Sequence, residues 1–290
     1  MKICAVIVTY NRLTLLQECI VALQHQTYPL DEIIVVNNDS TDGTTEWLQE
    51  QSLLTVINQE NSGGSGGFYT GTYYAYQKNY DWIWMMDDDV SPTQQCLEYL
   101  VKNITNATSG ILQPLRMIQD HPVLLESVKL NLANCFKPLH SLVKENDIVN
   151  NCKVEAIPFE GPLVHKNVFA KIGFPNKELF IFYDDTDFSY RTILAGFNIL
   201  LVPSAVLGKK IIQNNDSSLL NWKYKYELRN YAYFNKTYGK NLCVKYFRPF
   251  KKALSYFVYC LLHKRNFSLR DGFDIFKYTY NGVVGKLGKI

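Results

Sequence analysis

Apolar runs and the polar stretches between them divide the N-terminal part of the chain into a regular alternation. Lys2–Thr9 is rich in Ile and Val and predicts a buried strand. Leu13–Gln26 carries Leu15, Leu16, Cys19, Ile20 and Leu23 at helical spacing, and Pro29 marks the exit. Glu32–Val36 predicts a second strand. Thr41–Glu46 predicts a helix start, with Thr, Asp and Glu in its first turn. Leu53–Ile57 predicts a third strand, Asn61–Gly67 a glycine-rich loop leading into a helix to about Lys78, and Trp82–Met86 a fourth strand. This order predicts a parallel sheet with crossover helices.

Beyond the fourth strand the pattern loosens. Leu97–Ile104 continues as helix, and residues 110–155 hold short apolar runs without clear period, read only as a mixed excursion. Ile157–Val164 predicts a strand and turn, Asn167–Ile172 a short helix, and Glu178–Tyr183 a strand or extended segment. Asp187–Ala195 has helical spacing with Gly196 as its cap, and Phe197–Val202 predicts a last strand. From Trp222 onward the pattern is helical, broken near Gly239 and at Asn266-Phe267-Ser268.

Polar clusters stand at the ends of the predicted strands: Thr9–Arg12, Asn37–Asp42, Asn61–Gly67 and Asp87-Asp88-Asp89. In a parallel sheet these ends share one rim, where open α/β sheets bind ligands. Three adjacent carboxylates raise each other's pKa unless cations or donors neutralise them, and hard oxygen ligands suit Mg²⁺ or Mn²⁺ with a phosphate-bearing substrate. Arg12 can pair with a phosphate, Asn38 or Asp39 can bond a base or ribose, and glycines such as Gly64 admit a close backbone approach. Singly, each cluster reads equally as an ordinary loop; together they point to a nucleotide site. A second acidic run, Asp184-Asp185-Thr186-Asp187, suits either an N-cap or proton transfer.

Composition narrows the classes. The chain has 290 residues, 47% of them hydrophobic, enough for a sizeable core. Its 7 cysteines are scattered without a CxxC pair, which predicts reduced, packed thiols rather than a disulfide frame or a zinc site. Met1 leads straight into a strand, so no signal peptide is expected, and no apolar run reaches the roughly 18 residues a membrane span needs. Charge is uneven: residues 1–221 carry 15 Lys/Arg against 24 Asp/Glu, and residues 222–290 carry 15 against 3. The expected division is therefore a catalytic domain over 1–221, with its halves meeting near residue 110, and a basic aromatic helical region over 222–290. Without a nucleic-acid motif and with an acidic body, nucleic acid is not an expected partner.

Val6-Ile7-Val8-Thr9-Tyr10-Asn11-Arg12, Val36–Thr44 and Met86-Asp87-Asp88-Asp89 resemble the family-2 inverting glycosyltransferases of GT-A fold, through about residue 235. Asn61–Phe68 and Phe180–Asp185 are similar to the galactofuranosyltransferase branch. The resemblance implies an α/β, mostly parallel sheet flanked by helices, with a helical C-terminal region. It implies that Asp87 and Asp89 bind Mn²⁺ or Mg²⁺, Asp89 directly, and that Asp88 belongs to the same donor site. It implies donor contacts from Arg12, Asn38 and Asn61, and a general base at Asp185 with Asp184 as its neighbour; Thr9, Asp39 and Gly64 are expected in the same substrate site from their place on the rim. Glu160 stands where the family shapes the sugar pocket, and Arg229 in a late motif facing acceptor or phosphates. A histidine that often follows Pro-Ser-Ala-Val in the family is missing: Pro203-Ser204-Ala205-Val206 runs into Leu207-Gly208-Lys209-Lys210. Water, a more distant ligand, or the charge of Lys209 acting directly on the diphosphate takes its place.

The expected reaction moves galactofuranose from UDP-galactofuranose to a polysaccharide or lipid-linked glycan, on the cytoplasmic side of a membrane. Rivals are transfer of rhamnose or a hexopyranose by the same fold, and a sugar-nucleotide-binding subunit without turnover. Phe247–Lys264 alternates Lys and Arg with Phe, Tyr and Leu, and its apolar stretch Ala253–Leu262 is flanked by Lys251-Lys252 and Lys264-Arg265. That pattern fits a helix lying on an anionic leaflet, and equally one packed on the catalytic domain or on a second copy in a homo-oligomer.

Overall fold

The protein is described by a computed structural model covering residues 1–104, 109–119, 121–125, 127–144, 148–210, 220–264 and 267–290. Arg265 and Asn266, read above as a basic flank and a helix break, lie outside these described residues. The chain forms two compact units. One comprises Met1–Lys129, Leu142–Lys177 and Asp185–Ile212; the other comprises Leu130–Ser141, Glu178–Asp184 and Gln213–Ile290.

The first unit is built on one sheet. Strands β1 (Ile3–Thr9), β2 (Glu32–Asn37), β3 (Thr55–Asn58) and β4 (Trp82–Asp87) alternate with helices α1 (Leu13–Gln24), α2 (Thr44–Gln49) and α3 (Gly63–Gln77). β1 pairs in parallel with β2 and β4, and β2 with β3. Both faces are covered, which explains the unbroken apolar runs. Ile3, Ala5, Ile7, Trp82, Trp84 and Met86 pack into one hydrophobic cluster, while Cys4, Val6, Val8, Ile83 and Met85 enter the other.

The glycine-rich segment is a helix from Gly63 onward rather than a loop through Gly67. Its glycines serve packing as well: a Cβ on Gly67 would lie 2.4 Å from Val8 Cγ1, and one on Gly71 2.4 Å from Val6 Cγ1. These close approaches seat α3 on β1, and no other residue type fits there without displacing the strand.

Beyond β4 come β5 (Val90–Pro92), α4 (Cys96–Lys102), β6 (Ser109–Ile118), β7 (His121–Pro122), the short strands β8 (Val128–Leu130) and β9 (His140–Leu142), β10 (Cys152–Val154), β11 (Leu163–His165) and α5 (Lys166–Ile172). After them run α6 (Asp184–Leu194) and β12 (Asn198–Lys209). The sheet order is β10-β12-β6-β11-β4-β1-β2-β3, with β5 on β12 and β7 on β6. β6 is the strand that the region 110–155 concealed: Gln113, Pro114 and Arg116 interrupt its apolar run. The last strand extends to Lys209, its register with β6 slipping between Val202 and Val206. Glu178–Tyr183 is not a strand. A 3₁₀ turn, Lys177–Leu179, precedes left-handed backbone at Phe180, Phe182 and Tyr183 (φ 66°, 67° and 64°).

The second unit holds α7 (Lys223–Tyr238), a π-helical turn at Cys243–Phe247, α8 (Arg248–His263) and α9 (Leu269–Val283). α9 lies so close to α7 that a Cβ on Gly282 would fall 1.9 Å from the Arg229 carbonyl oxygen. Ser268 and Asp271 form a capping box that starts α9. Against the expectation of reduced thiols, Cys135 and Cys243 form a disulfide, 108 residues apart in sequence. Pairing over that distance depends on the fold and leaves no spacing signal. Arg248 reinforces the link, donating to the Asn131 and Asn134 carbonyls and to Asn235 Oδ1. Cys4, Cys19, Cys96 and Cys260 are free thiols. Among the described residues, no helix is long and apolar enough to cross a membrane.

Candidate active site

Strand register brings the predicted clusters to one rim. Thr9 lies opposite Asn37, Asn37 opposite Asn58, and Val8 opposite Asp87. At the end of β4 the three carboxylates separate. Asp88 turns to β1, accepting from Thr9 Oγ1 (2.8 Å) and Arg12 Nη1 (3.0 Å). Arg12 also lies 3.5 Å from Asp89. Asp87 and Asp89 instead meet Glu160, the three offering oxygens within 4.8 Å of one another.

Glu160 is fixed from several sides. Its carboxylate accepts from Arg116 Nη1 at 2.7 Å and from Lys209 Nζ, and Gln113 donates to its carbonyl at 2.8 Å. The next residue, Gly161, has φ +87°, and a Cβ there would meet Leu207 and Pro114 at 2.8 Å, so the turn demands glycine. Trp84 Nε1 donates to the Gly161 carbonyl at 2.8 Å, locking the turn to β4. Lys209 arrives through β12, pairing with Val90 of β5. Lys210 N–H then donates to the Asp89 carbonyl at 2.9 Å.

The electrostatics follow from this crowding. Burial, reinforced by Asp89 and Glu160, holds Asp87 well above the ordinary carboxylate range. Burial and Glu160 likewise raise Asp89. Burial raises Asp88 against the pull of Arg12. Glu160 goes the other way: burial opposes its charge, but Arg116 and Lys209 together bring it below the usual value. Asp89 Oδ1 is buried and accepts no hydrogen bond among the described residues.

The remaining predicted donor contacts divide by exposure. Asn38 is 2% exposed and braces the rim, donating to the Gly63 carbonyl (3.0 Å) and accepting from Gln59 (2.6 Å). Asp39, with φ +66°, is exposed and helps line a pocket of about 260 Å³ with Asn37, Thr45, Asn58 and Gln59. Asn61 Oδ1 accepts from Gly63 N at the start of α3. A Cβ on Gly64 would meet nothing within 4 Å, so open space lies beside it.

The second acidic run opens α6. Asp185 Oδ1 accepts from Thr186 N at 2.5 Å, and Asp187 is bound to Arg191 at 2.8 Å. Asp184 is buried and Asp185 half-buried. Arg229 is 1% exposed, not on a surface. Its guanidinium donates to the Gly288, Leu179 and Glu178 carbonyls and to Asn230 Oδ1. Asn230 Nδ2 in turn donates to Leu179, Ile181 and Phe182 at 2.8–2.9 Å. The two residues hold the left-handed segment that leads into Asp184.

The family model for glycosyl transferase family 2 matches residues 4–159, more than half of the chain. The chain belongs to glycosyl transferase family 2. It is 27% identical over 202 residues to galactofuranosyltransferase GlfT1 of Mycolicibacterium smegmatis, covering 67% of this chain and 66% of that protein. The match therefore spans about two thirds of that relative's length. Among solved structures it is similar to GalNAc-T7 with UDP, GalNAc and Mn²⁺ (TM-score 0.63, 16% identity, 91% of this chain and 58% of that one). It is also similar to the mannosyltransferase PcManGT of Pyrobaculum calidifontis with GDP-Man and Mn²⁺ (TM-score 0.58, 13% identity, 98% and 88%). The expected GT-A fold and the expected kinship with galactofuranosyltransferases are both borne out.

In this family-2 glycosyltransferase the donor set fits a divalent cation. Three hard oxygen ligands converge, two of them resist ionisation because they are buried beside other carboxylates, and among the described residues one buried oxygen has no hydrogen-bond partner. Because Glu160 is already bound by two cations, Asp87 and Asp89 are the better ligands. Reading the sequence missed Arg116 and the role of Asn230. Arg116 carried a signal, a lone charge inside the apolar stretch Ile111–Ile118; Asn230 stood in the late family motif beside Arg229, but its bonding to three carbonyls about fifty residues away left no mark in the sequence.

Proposed function

We propose that the protein is an inverting glycosyltransferase that moves galactofuranose from UDP-galactofuranose to a hydroxyl of a cell-surface polysaccharide or lipid-linked glycan. The carrying observation is the pairing of a cation-hungry cluster, Asp87, Asp89 and Glu160, with a separate carboxylate pair at the start of α6. Inverting transfer needs that division, one group of carboxylates for the donor diphosphate and one carboxylate for the acceptor proton. Asp87 and Asp89 would hold a Mn²⁺ or Mg²⁺ ion, which would supply Lewis-acid stabilisation to the departing diphosphate. Lys209, anchored on Glu160, adds fixed positive charge beside them, the place the family often gives to histidine. The pocket bordered by Asp39 and Asn58 receives the nucleoside. Asp185 takes the proton from the acceptor hydroxyl as it attacks the anomeric carbon. Arg229 and Asn230 act as positioning residues for the segment entering Asp184, rather than as acceptor contacts.

The sugar assignment is supported by the GlfT1 relative and by the Asn61–Phe68 resemblance. The expected setting is the cytoplasmic face of the membrane, where lipid-linked acceptors are extended. A panel of nucleotide sugars, assayed for hydrolysis and transfer with and without Mn²⁺ or Mg²⁺, tests the reading. UDP-galactofuranose should be turned over best, with the new linkage opposite in anomeric configuration to the donor. Turnover of dTDP-rhamnose or a UDP-hexopyranose with none of UDP-galactofuranose overturns the sugar. Absence of turnover with every donor overturns the enzyme reading.

A further inference from the structure

Two helices of the C-terminal unit carry more apolar surface than their packing uses. α8 buries Ala253 and Cys260, both 0% exposed. On its other side Phe247, Phe250, Leu254, Val258 and Leu261 recur at helical spacing along one face. They are exposed by 49%, 36%, 54%, 42% and 54%. α9 repeats the arrangement. Gly272, Ile275, Thr279 and Gly282 are buried, while Leu269, Phe273, Tyr280 and Val284 are 97%, 67%, 57% and 53% exposed along one stripe. Each helix thus has an inner apolar face that is satisfied and an outer one that is not.

The charges around these stripes choose the partner. Lys251 borders the α8 stripe, and Arg270 and Lys277 border that of α9; all three are exposed. Of the three carboxylates in residues 222–290, Glu227 is paired with Lys252 and Asp271 with Lys264. We infer that α8 and α9 dock this unit on an anionic lipid bilayer, lying in the interface with the outer stripes among the acyl chains and the basic residues at the headgroups. At 16 residues, α8 is about 24 Å long by its helical rise and too short to span. A second copy of the chain would cover the apolar stripes but would set one strongly basic surface against another, which charge opposes. The docking deepens the lipid-linked part of the proposed function. It rests on that reading only for its purpose, because vesicle binding is measured without any sugar.

The test is flotation of the full chain with vesicles of phosphatidylglycerol and phosphatidylcholine, against vesicles of phosphatidylcholine alone. The protein should float with the anionic vesicles, bind neutral ones at least tenfold more weakly, and be released as salt rises. Leu254→Glu with Phe273→Glu should lower anionic-vesicle binding at least tenfold. Both sites are exposed, so the melting temperature and donor hydrolysis in solution should hold. Equal binding to both vesicle types, no flotation at low salt, or undiminished binding by the double variant overturns the inference. So does light scattering that shows a dimer which the double variant converts to monomer. If vesicles bind but no donor is turned over, the docking stands and the transferase reading falls.

Discussion

The two acidic clusters are held by opposite means. Asp87–Asp89 sits at the end of a central strand, and its geometry comes from sheet register and from side-chain charge. Asp88 is tied back to Thr9 and Arg12, while Asp87 and Asp89 face Glu160 and Lys209. Asp184–Asp185 follows a segment in which three non-glycine residues adopt left-handed backbone. Each such residue costs on the order of 1 kcal/mol or more, so the surroundings must impose it. Arg229 and Asn230 do so through backbone carbonyls. One cluster is stressed electrostatically and the other conformationally. A cation would relieve the first kind of stress, whereas the second is held by hydrogen bonds within the chain. This suits a site that must load a charged donor and a group that must only hold its place.

The largest effect should come from the second cluster. Asp185→Asn removes the proposed proton acceptor and keeps the shape, so transfer should fall about 10³-fold, within the range for one general base. UDP binding measured by calorimetry should be unchanged. Transfer at the wild-type rate would move the base to another residue.

Next in size is Lys209→Met. It strips one of two positive groups from Glu160 and leaves the crowded carboxylates less balanced. Loss of a fixed charge beside the proposed diphosphate site predicts about a 10²-fold fall in kcat at saturating Mn²⁺. Lys209→His should do less harm to rate and should lower the Mn²⁺ concentration that gives half-maximal activity, since a neutral imidazole can ligate where an ammonium cannot. If both variants behave alike in a metal titration, a side chain at position 209 does not reach the cation.

The difference between the clusters also explains what could be read from the residues. The four parallel strands were legible because both faces are buried, so their apolar runs are continuous. The rim followed, because strand ends in such a sheet share one edge. The left-handed segment was not legible: Phe180–Tyr183 has the composition of a strand, and only the carbonyl-bonding Arg229 and Asn230 turn it into something else. Arg229 looked like an anion-binding residue because an arginine in a motif carries no sign of burial. β6 was hidden by its own polar residues, one of which, Arg116, anchors Glu160. The cysteine pair was hidden by distance along the chain.

Asn230→Ala tests the conformational side at smaller scale. It removes the donor to three carbonyls. We expect kcat to fall about tenfold while the donor KM holds, with a stability loss of about 2 kcal/mol from the unpaired buried carbonyls. Asn230→Asp should not rescue, because a carboxylate cannot donate. A drop in melting temperature without any change in kcat would make Asn230 purely structural.

The smallest effect is on pH and leaves the chemistry alone. His140 packs at a tilt beside Tyr183, the last left-handed residue, with ring centroids 6.1 Å apart. Its Nε2 is buried without a hydrogen-bond partner among the described residues. Burial, helped by the nearby Lys252 charge, lowers its pKa from 6.5 to about 4. Above pH 6.5 the ring is neutral in both folded and unfolded chains, and its contribution is fully present. As pH falls from 6.5 towards 4 the unfolded chain takes up the proton first, so stability is lost across that window. The loss should be on the order of 2 kcal/mol. Carboxylates titrate in the lower part of the same range, so the informative quantity is the difference between the wild type and His140→Gln. The variant should unfold in urea with a flatter dependence on pH between 7 and 4. If the two profiles run parallel, His140 does not bury its neutral form, and the support beneath Tyr183 is looser than its neighbours imply.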